Sequence, residues 1–282
     1  YNSNIIAPST VFDLSQSDNL SGVNRTMYSF DDGSERRENG NIGTSGLKDG
    51  EHTIYYYSVD NVKNTETKKS FSFYLDKIAP STNFSVIGDK FQGDKLYVSP
   101  RTQIELTAAD NKAGVENIFY SLNKDTTVTY SSPFLLPKKT GNVAIRYYAM
   151  DKVKNTGKAT LKTLAVYYDE TVPDLSSAFD GATFVTRDTT FVSALTKLEI
   201  TAKDTESGVQ DVTYTLDGEE QPYNEPFTID TEGFHLVGFT SSDNVNNTIS
   251  KEVQFFVDAT PPSIRIDNSS PSTGTKDIDG KN

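Results

Sequence analysis

Asp18-Asn19-Leu20-Ser21-Gly22-Val23, Asp110-Asn111-Lys112-Ala113-Gly114-Val115 and Asp204-Thr205-Glu206-Ser207-Gly208-Val209 are one motif written three times. The first two copies lie 92 residues apart, Asp18 to Asp110, and the next two 94, Asp110 to Asp204. A second motif follows each copy: Asp60-Asn61-Val62-Lys63-Asn64, Asp151-Lys152-Val153-Lys154-Asn155 and Asp243-Asn244-Val245-Asn246-Asn247. A third closes the period: Asp76-Lys77-Ile78-Ala79-Pro80, Asp169-Glu170-Thr171-Val172-Pro173 and Asp258-Ala259-Thr260-Pro261. Motifs that share one order and one spacing mark a tandem repeat.

Between the motifs apolar residues recur at every second position, the signature of half-buried strands. Phe12 and Leu14 precede the first motif, as Ile104 and Leu106 and then Leu198 and Ile200 do in the later periods. Tyr28, Tyr120 and Tyr214 recur after it at one core position. Phe71, Phe73 and Leu75 alternate before the third motif. No stretch sustains a helical period. About seven short strands in roughly 90 residues is the size of an immunoglobulin-like sandwich. The expected fold is therefore all-β, a string of immunoglobulin-like β-sandwich repeats with a period of about 92 residues. The expected domains are residues 1–79, lacking a first strand, then 80–172, 173–260, and a truncated further start at 261–282.

In this scheme the Asp-x-x-Ser/Ala-Gly-Val segment is a loop whose glycine takes a conformation other residues resist. The Asp-x-Val-x-Asn segment is a hairpin loop, since Asp and Asn bond their own backbone and tolerate left-handed angles. The Asp-x-x-x-Pro segment is the exit into the next repeat, stiffened by proline. Tyr1 aligns near Gly93, and the stretch from Pro262 aligns with the opening of a repeat. The chain thus reads as an excised or processed piece of a longer array. Its tail has the pattern to supply an edge strand to another molecule's first repeat, a head-to-tail self-association.

Composition narrows the function. A formal charge of -12 repels phosphate backbones, so nucleic acid is excluded as an expected partner. No apolar run approaches the roughly 20 residues of a spanning helix. Mean hydropathy is -0.52 and cysteine is absent, which fits a bacterial extracellular protein and also a cytosolic one.

Tyr97-Val98-Ser99-Pro100, the Asp-x-x-Ala-Gly-Val loop, Tyr120-Ser121-Leu122, Tyr130-x-x-Pro133-Phe134, Gly141 and the closing Asp-x-Val-x-Asn carry a family resemblance. The chain resembles the bacterial Ig-like repeats of outer-membrane and secreted surface proteins, including repeats labelled "β-barrel domain" in a spirochaetal outer-membrane protein. The resemblance implies display at the cell surface or outer membrane, or secretion, with adhesion to host or environmental polymers and no catalysis. A transmembrane barrel needs a lipid-facing apolar band, whereas Ser70, Ser72, Lys162 and Thr163 face away from the core here. In that family the hairpin loop usually has Gly where this chain has Lys63, Lys154 and Asn246, so the loop need not take the same turn. In the first repeat a longer polar insert, around Arg36 to Gly46, replaces the Tyr-x-x-Pro-Phe element.

Catalytic chemistry has little to stand on. His52 and His235 share one repeat position that holds Val143 in the second repeat, as a strand-start residue would. No nucleophile elbow, phosphate loop or zinc spacing occurs. Glu219 and Glu220 fall on an expected turn, solvated. Carboxylates matter more at the joints: Asp76, Asp110 and Asp151 are expected to converge at one, and Asp169, Asp204 and Asp243, with Glu206 nearby, at the next. Two readings stay open: a calcium site built from carboxylates and carbonyls, or turn caps alone. Asp277-x-Asp279-Gly280 has the start of a calcium loop without its remainder. Tyr55, Tyr57 and Tyr148 are expected to point outward, either to anchor a protein or glycan ligand or to pair across strands. Arg36 and Arg37 sit in the distinctive insert and complete the candidate ligand-binding set. The functional expectation is a non-catalytic adhesin or stalk segment that binds an extracellular protein or glycan. Its alternatives are a pure spacer and an accessory module of a secreted hydrolase.

Overall fold

The computed structural model describes residues 4–265. The Asp277–Gly280 fragment and most of the fourth expected segment, 266–282, lie outside the described residues. Every regular element among the described residues is a β-strand. The chain divides into two compact units, Tyr1–Glu170 and Thr171–Asn282.

The first repeat runs β1 (Asn4–Ile6), β2 (Val11–Phe12), β3 (Val23–Phe30), β4 (Arg36–Arg37), β5 (Ile42–Gly43), β6 (Gly50–Asp60) and β7 (Lys69–Leu75). The second runs β8 (Ser81–Ile87), β9 (Lys90–Gln92), β10 (Leu96–Val98), β11 (Gln103–Ala109), β12 (Val115–Leu122), β13 (Val128–Thr129), β14 (Phe134–Leu135), β15 (Gly141–Asp151) and β16 (Thr160–Tyr168). The third runs β17 (Asp174–Asp180), β18 (Thr183–Thr186), β19 (Thr189–Ser193), β20 (Lys197–Lys203), β21 (Val209–Leu216), β22 (Glu219–Pro222), β23 (Phe227–Thr228), β24 (Gly233–Asp243) and β25 (Thr248–Asp258).

Each repeat is a two-sheet sandwich. The larger sheets are ordered β1-β7-β6-β3-β4, β13-β12-β15-β16-β10-β9 and β18-β19-β25-β24-β21-β22; the smaller are β2-β5, β14-β11-β8 and β17-β20-β23. The sheets are open, with different strands at their two edges. One detail repeats in all three: the last long strand receives a short parallel partner, β1 on β7, β10 on β16 and β19 on β25. The motif after the first loop also buckles identically. The register shifts between Val23 and Arg25, Val115 and Asn117, and Val209 and Asp211, a bulge that bends the strand over the core.

The alternating residues fill the space between the sheets, as the period of two requires. Ile54, Phe73 and Leu75 form the first core; Ile104, Leu106, Ile145 and Val166 the second; Leu198, Val237, Phe255 and Val257 the third. The tyrosine expected in the core is half-buried there. Tyr120 stacks on Phe134 at 4.0 Å and Tyr214 on Phe227 at 4.3 Å. Phe71 departs from the expectation, being 37 % exposed although it pairs with the buried Ile54.

Two expectations are corrected. The Arg36–Gly46 stretch is not a free insert: it supplies β4 and β5, the edge strands of both sheets. Ile42 pairs with Phe12 and is 3 % exposed, taking the place that Phe134 holds opposite Ile104. Glu219 and Glu220 lie on edge strand β22, paired with Leu216 and Thr215, rather than on a turn. The hairpin loop takes a left-handed residue without glycine, with φ of 74° at Lys63, 73° at Lys154 and 61° at Asn246. Hydrogen bonds to the loop's Asp fix that turn and override the side chain's preference.

Candidate functional site

The site begins with one carboxylate in each loop. Asp110 Oδ2 accepts the N–H groups of Lys112 at 3.0 Å and Gly114 at 2.8 Å. Gly114 has φ of 78°, which turns its N–H back toward Asp110. Asp151 Oδ1 accepts the N–H groups of Val153 and Asn155, and its Oδ2 accepts Asn155 Nδ2 at 2.7 Å. The two loops are joined by the Lys152 N–H donating to Gly114 O at 3.0 Å. Asp18, Asp60, Asp204 and Asp243 make the same turn-capping bonds in their own repeats. Turn capping is thus a property of all six loops.

The exit from the first repeat docks onto these loops. Asp76 follows β7 and is fully buried. Its Oδ2 accepts the Ala113 N–H at 2.9 Å, and its backbone carbonyl accepts Asn155 Nδ2 at 2.9 Å. Lys112 Nζ lies 4.2 Å from the Tyr74 ring centre, extending the contact between the first two repeats. These contacts give a physical reason why both repeats belong to one compact unit.

Asp76, Asp110 and Asp151 therefore meet: one carboxylate oxygen from each lies within 4.8 Å of the others. Asp76 and Asp151 are wholly buried and Asp110 partly so. Asp110 Oδ1 is buried and accepts no hydrogen bond. Among the described residues no ion pair joins any of the three. At an effective dielectric of about 20, two like charges this close repel by about 3 kcal/mol. The donor set suits a hard cation, which takes oxygen ligands and places its charge where three negative charges gather. An oxygen left bare in the interior is what such a cation satisfies.

The other acidic residues fall in separate units. Asp169 ends the first unit, buried, its N–H donating to Val98 O at 2.9 Å. Asp204, Glu206 and Asp243 lie in the second. There Glu206 Oε2 accepts the hydroxyls of Thr171 at 3.2 Å and Thr205 at 3.0 Å. Asn155 is the residue that sequence reasoning missed. Its place as the last member of the repeated Asp-x-Val-x-Asn motif was the available signal, but its bond to the preceding repeat was not.

The candidate ligand-binding residues are engaged within the first unit. Tyr57 pairs with Met27 across the sheet, donates its hydroxyl to Glu35 at 2.7 Å and lies under Lys68. Tyr148 stacks on Phe119 at 5.1 Å. Tyr55 is half-buried between Ser29 and Ser70. Arg37 donates to Asn24 O at 2.9 Å, while Arg36 pairs with Tyr28 and stays exposed. The structure does not gather these five into one cleft. The histidines are structural staples. His52 bridges Asp31 at 2.7 Å and Lys48 O at 2.9 Å, and His235 bridges Asp217 at 3.2 Å and Thr231 O at 2.8 Å.

No protein-family model matches the chain, and no curated protein matches it. Solved structures do. A solved chain from work on the host cell surface retention of a 1.5-MDa bacterial ice-binding adhesin aligns at 14 % identity over 85 % of this chain and 90 % of that solved chain, with a TM-score of 0.36. The fibronectin(III)-like modules of Clostridium thermocellum CbhA align at 11 % identity over 59 % and 90 %, TM-score 0.33. A tetra-tandem repeat from the extending region of a large adhesion protein aligns at 17 % identity over 90 % and 74 %, TM-score 0.25.

Proposed function

We propose that this chain is a non-catalytic segment of a repeat array displayed outside a bacterial cell, at the surface or secreted. In this reading it works as an adhesin stalk, and calcium stiffens the joint between its first two repeats. The observation that carries the reading is the meeting of Asp76, Asp110 and Asp151, one of them with a buried, unpartnered oxygen, where one sandwich hands over to the next. A cation there ties the exit of one repeat to two loops of its neighbour and resists bending at the joint.

The test is thermal unfolding of the chain in chelator and then in millimolar calcium. A raised midpoint that Asp110→Asn abolishes supports the metal joint. An unchanged midpoint reduces the aspartates to turn caps.

Contact with a protein or glycan through Tyr55, Tyr57, Tyr148, Arg36 and Arg37 belongs to the adhesin reading. A pure spacer is the second reading, favoured by the bonds and stacking that already occupy Tyr57, Tyr148 and Arg37. Saturable binding to a matrix protein or glycan, lost on Arg36→Ala with Tyr55→Ala, selects the adhesin. A flat response across such a panel selects the spacer.

A further inference from the structure

In the second and third repeats three rings pack together between the margins of the two sheets. Tyr120 stacks face to face on Phe134 and meets Tyr130 edge-on at 6.2 Å. Tyr214 stacks on Phe227 and meets Tyr223 edge-on at 6.5 Å. The backbone fixes which residues of the first repeat hold these places. The N–H groups of Tyr130 and Tyr223 donate to Ile118 O and Val212 O, as the Glu38 N–H donates to Thr26 O. Phe134 pairs with Ile104 and Phe227 with Leu198, as Ile42 pairs with Phe12. Glu38 and Ile42 thus stand where two rings stand in the later repeats. Among the described residues Tyr28 keeps a single ring neighbour, Phe30 at 6.0 Å.

A cleft of 240 Å³ opens beside Tyr28. Tyr28, Phe30 and Leu47 supply its apolar lining, Ser34 and Arg36 its polar lining. Arg36 is exposed, and its guanidinium has no hydrogen-bond or ion-pair partner among the described residues. Its neighbours are engaged elsewhere: Glu35 accepts from the Tyr57 hydroxyl and from Lys68, and Arg37 donates to Asn24 O. A free guanidinium presents a fork that matches a carboxylate.

Size and place narrow the occupant. Small-molecule sites begin at about 300 Å³, so this cleft holds one ring rather than a cofactor or a sugar chain. One ring and one exposed ion pair bind weakly alone, so the remaining contacts come from a larger partner that carries the ring as its anchor. β4 and β5 lie at the margins of the two sheets, where unpaired backbone groups accept an extended segment.

We propose that this cleft is a peptide-binding site for an acidic, aromatic segment of a partner protein. The phenyl or phenol ring of the segment packs against Tyr28, Phe30 and Leu47, and a carboxylate of the segment pairs with Arg36. The ring supplies from outside what Phe134 and Phe227 supply from within their own repeats. The inference rests on the adhesin reading, which already includes Arg36, and narrows its ligand to a protein segment.

The probe is a synthetic peptide Pro-Tyr-Asn-Glu-Pro-Phe-Thr, the sequence of residues 222–228, which carries the ring that stacks on Tyr214 and a nearby acid. Titration of the full chain with the labelled peptide, followed by fluorescence anisotropy and by NMR, is expected to give saturable binding with shifts centred on Tyr28, Phe30 and Leu47. Replacing the peptide's phenylalanine by alanine is expected to abolish it. Arg36→Ala is expected to weaken it about tenfold. Ile42→Phe, which restores the residue of the later repeats, is expected to close the cleft and abolish binding. Arg36→Ala lies on an exposed edge and keeps the test valid if Ile42→Phe fails to fold. No saturable binding overturns the proposal, as does binding that neither variant weakens. Attachment to a matrix protein or glycan that survives Ile42→Phe and excess peptide removes the cleft and leaves the adhesin reading standing. Peptide binding beside a flat matrix and glycan panel keeps the cleft and removes the polymer-binding reading.

Discussion

At the residue scale, one strained position and one ion pair make measurable claims. Lys63 sits at φ 74°, where a Cβ is crowded. Lys63→Gly relieves that strain but adds freedom to the unfolded chain, so a gain of about 0.5 kcal/mol is expected. Lys63→Val is expected to lose about 1–2 kcal/mol, because a β-branched residue resists this region most. Urea midpoints of the first unit read both. For His52, burial opposes the charged form, but the hydrogen bond to Asp31, the Lys48 carbonyl and the charge of Asp31 raise its pKa overall. For Asp31, burial is likewise outweighed by bonds from His52 and the Thr53 N–H, and its pKa is lowered. A raised histidine pKa stabilises fully below the unfolded value, about 6.5, and fades as pH rises through the folded one. The lowered Asp31 keeps its charge down to below 3.8. The pair therefore stabilises the first repeat between about pH 4 and about 6.5 and loses this above neutrality. Asp31 is 45 % exposed, so screening holds the effect below about 1 kcal/mol. His52→Gln is expected to flatten the pH dependence of the melting midpoint between about pH 5.5 and about pH 8.

At the element scale, the stretch from Arg36 to Gly46 is the instructive one. Its polarity reads as an insert because only one buried apolar residue, Ile42, anchors it, beside the buried polar Thr44. Strand edges expose most of their side chains, so a sheet margin and a loop have the same composition. Ile42→Ala is expected to destabilise the first unit by about 2–4 kcal/mol, as truncation in a core does. Arg36→Ala, on the exposed side of β4, is expected to cost less than about 0.5 kcal/mol. Equal effects in denaturant titrations would return the stretch to loop status. Ile42 also leaves Tyr28 without the stacked phenylalanine of the later repeats, beside a cleft of 240 Å³ lined by Tyr28, Phe30 and Leu47.

At the scale of the whole molecule, the proposed calcium site at the joint between the first two repeats predicts a response to calcium. Ligand at about 100 times its dissociation constant adds about 2.7 kcal/mol, which moves the transition of a unit this size by several degrees. The Asp110→Asn variant separates a metal site from a turn cap. The asparagine carbonyl still accepts from Lys112 and Gly114, so the turn survives. In chelator, removing one of three crowded charges is expected to leave the first unit equally or more stable; in calcium the variant is expected to fall behind the parent chain. Calorimetric scans of both proteins in both buffers show whether the order reverses.

The sequence by itself determined the repeat, its period, the strand-rich class, and the turn-capping aspartates, because each rests on residues close in the chain or on strict recurrence. Gly22, Gly114 and Gly208 show this best, all at φ near 80° as their motif requires. Only the tertiary structure decided what non-local packing controls. It brought Asp76 and Asn155, 79 residues apart, into one hydrogen bond, and left Asp110 Oδ1 bare in the same cluster. It turned a polar stretch into two sheet edges and held Lys63 in a glycine's conformation. It also showed that tyrosines spaced to face outward are already paired with Met27, Phe119 and Glu35. Periodicity says which face a side chain takes; what that face meets depends on strands brought together by the fold.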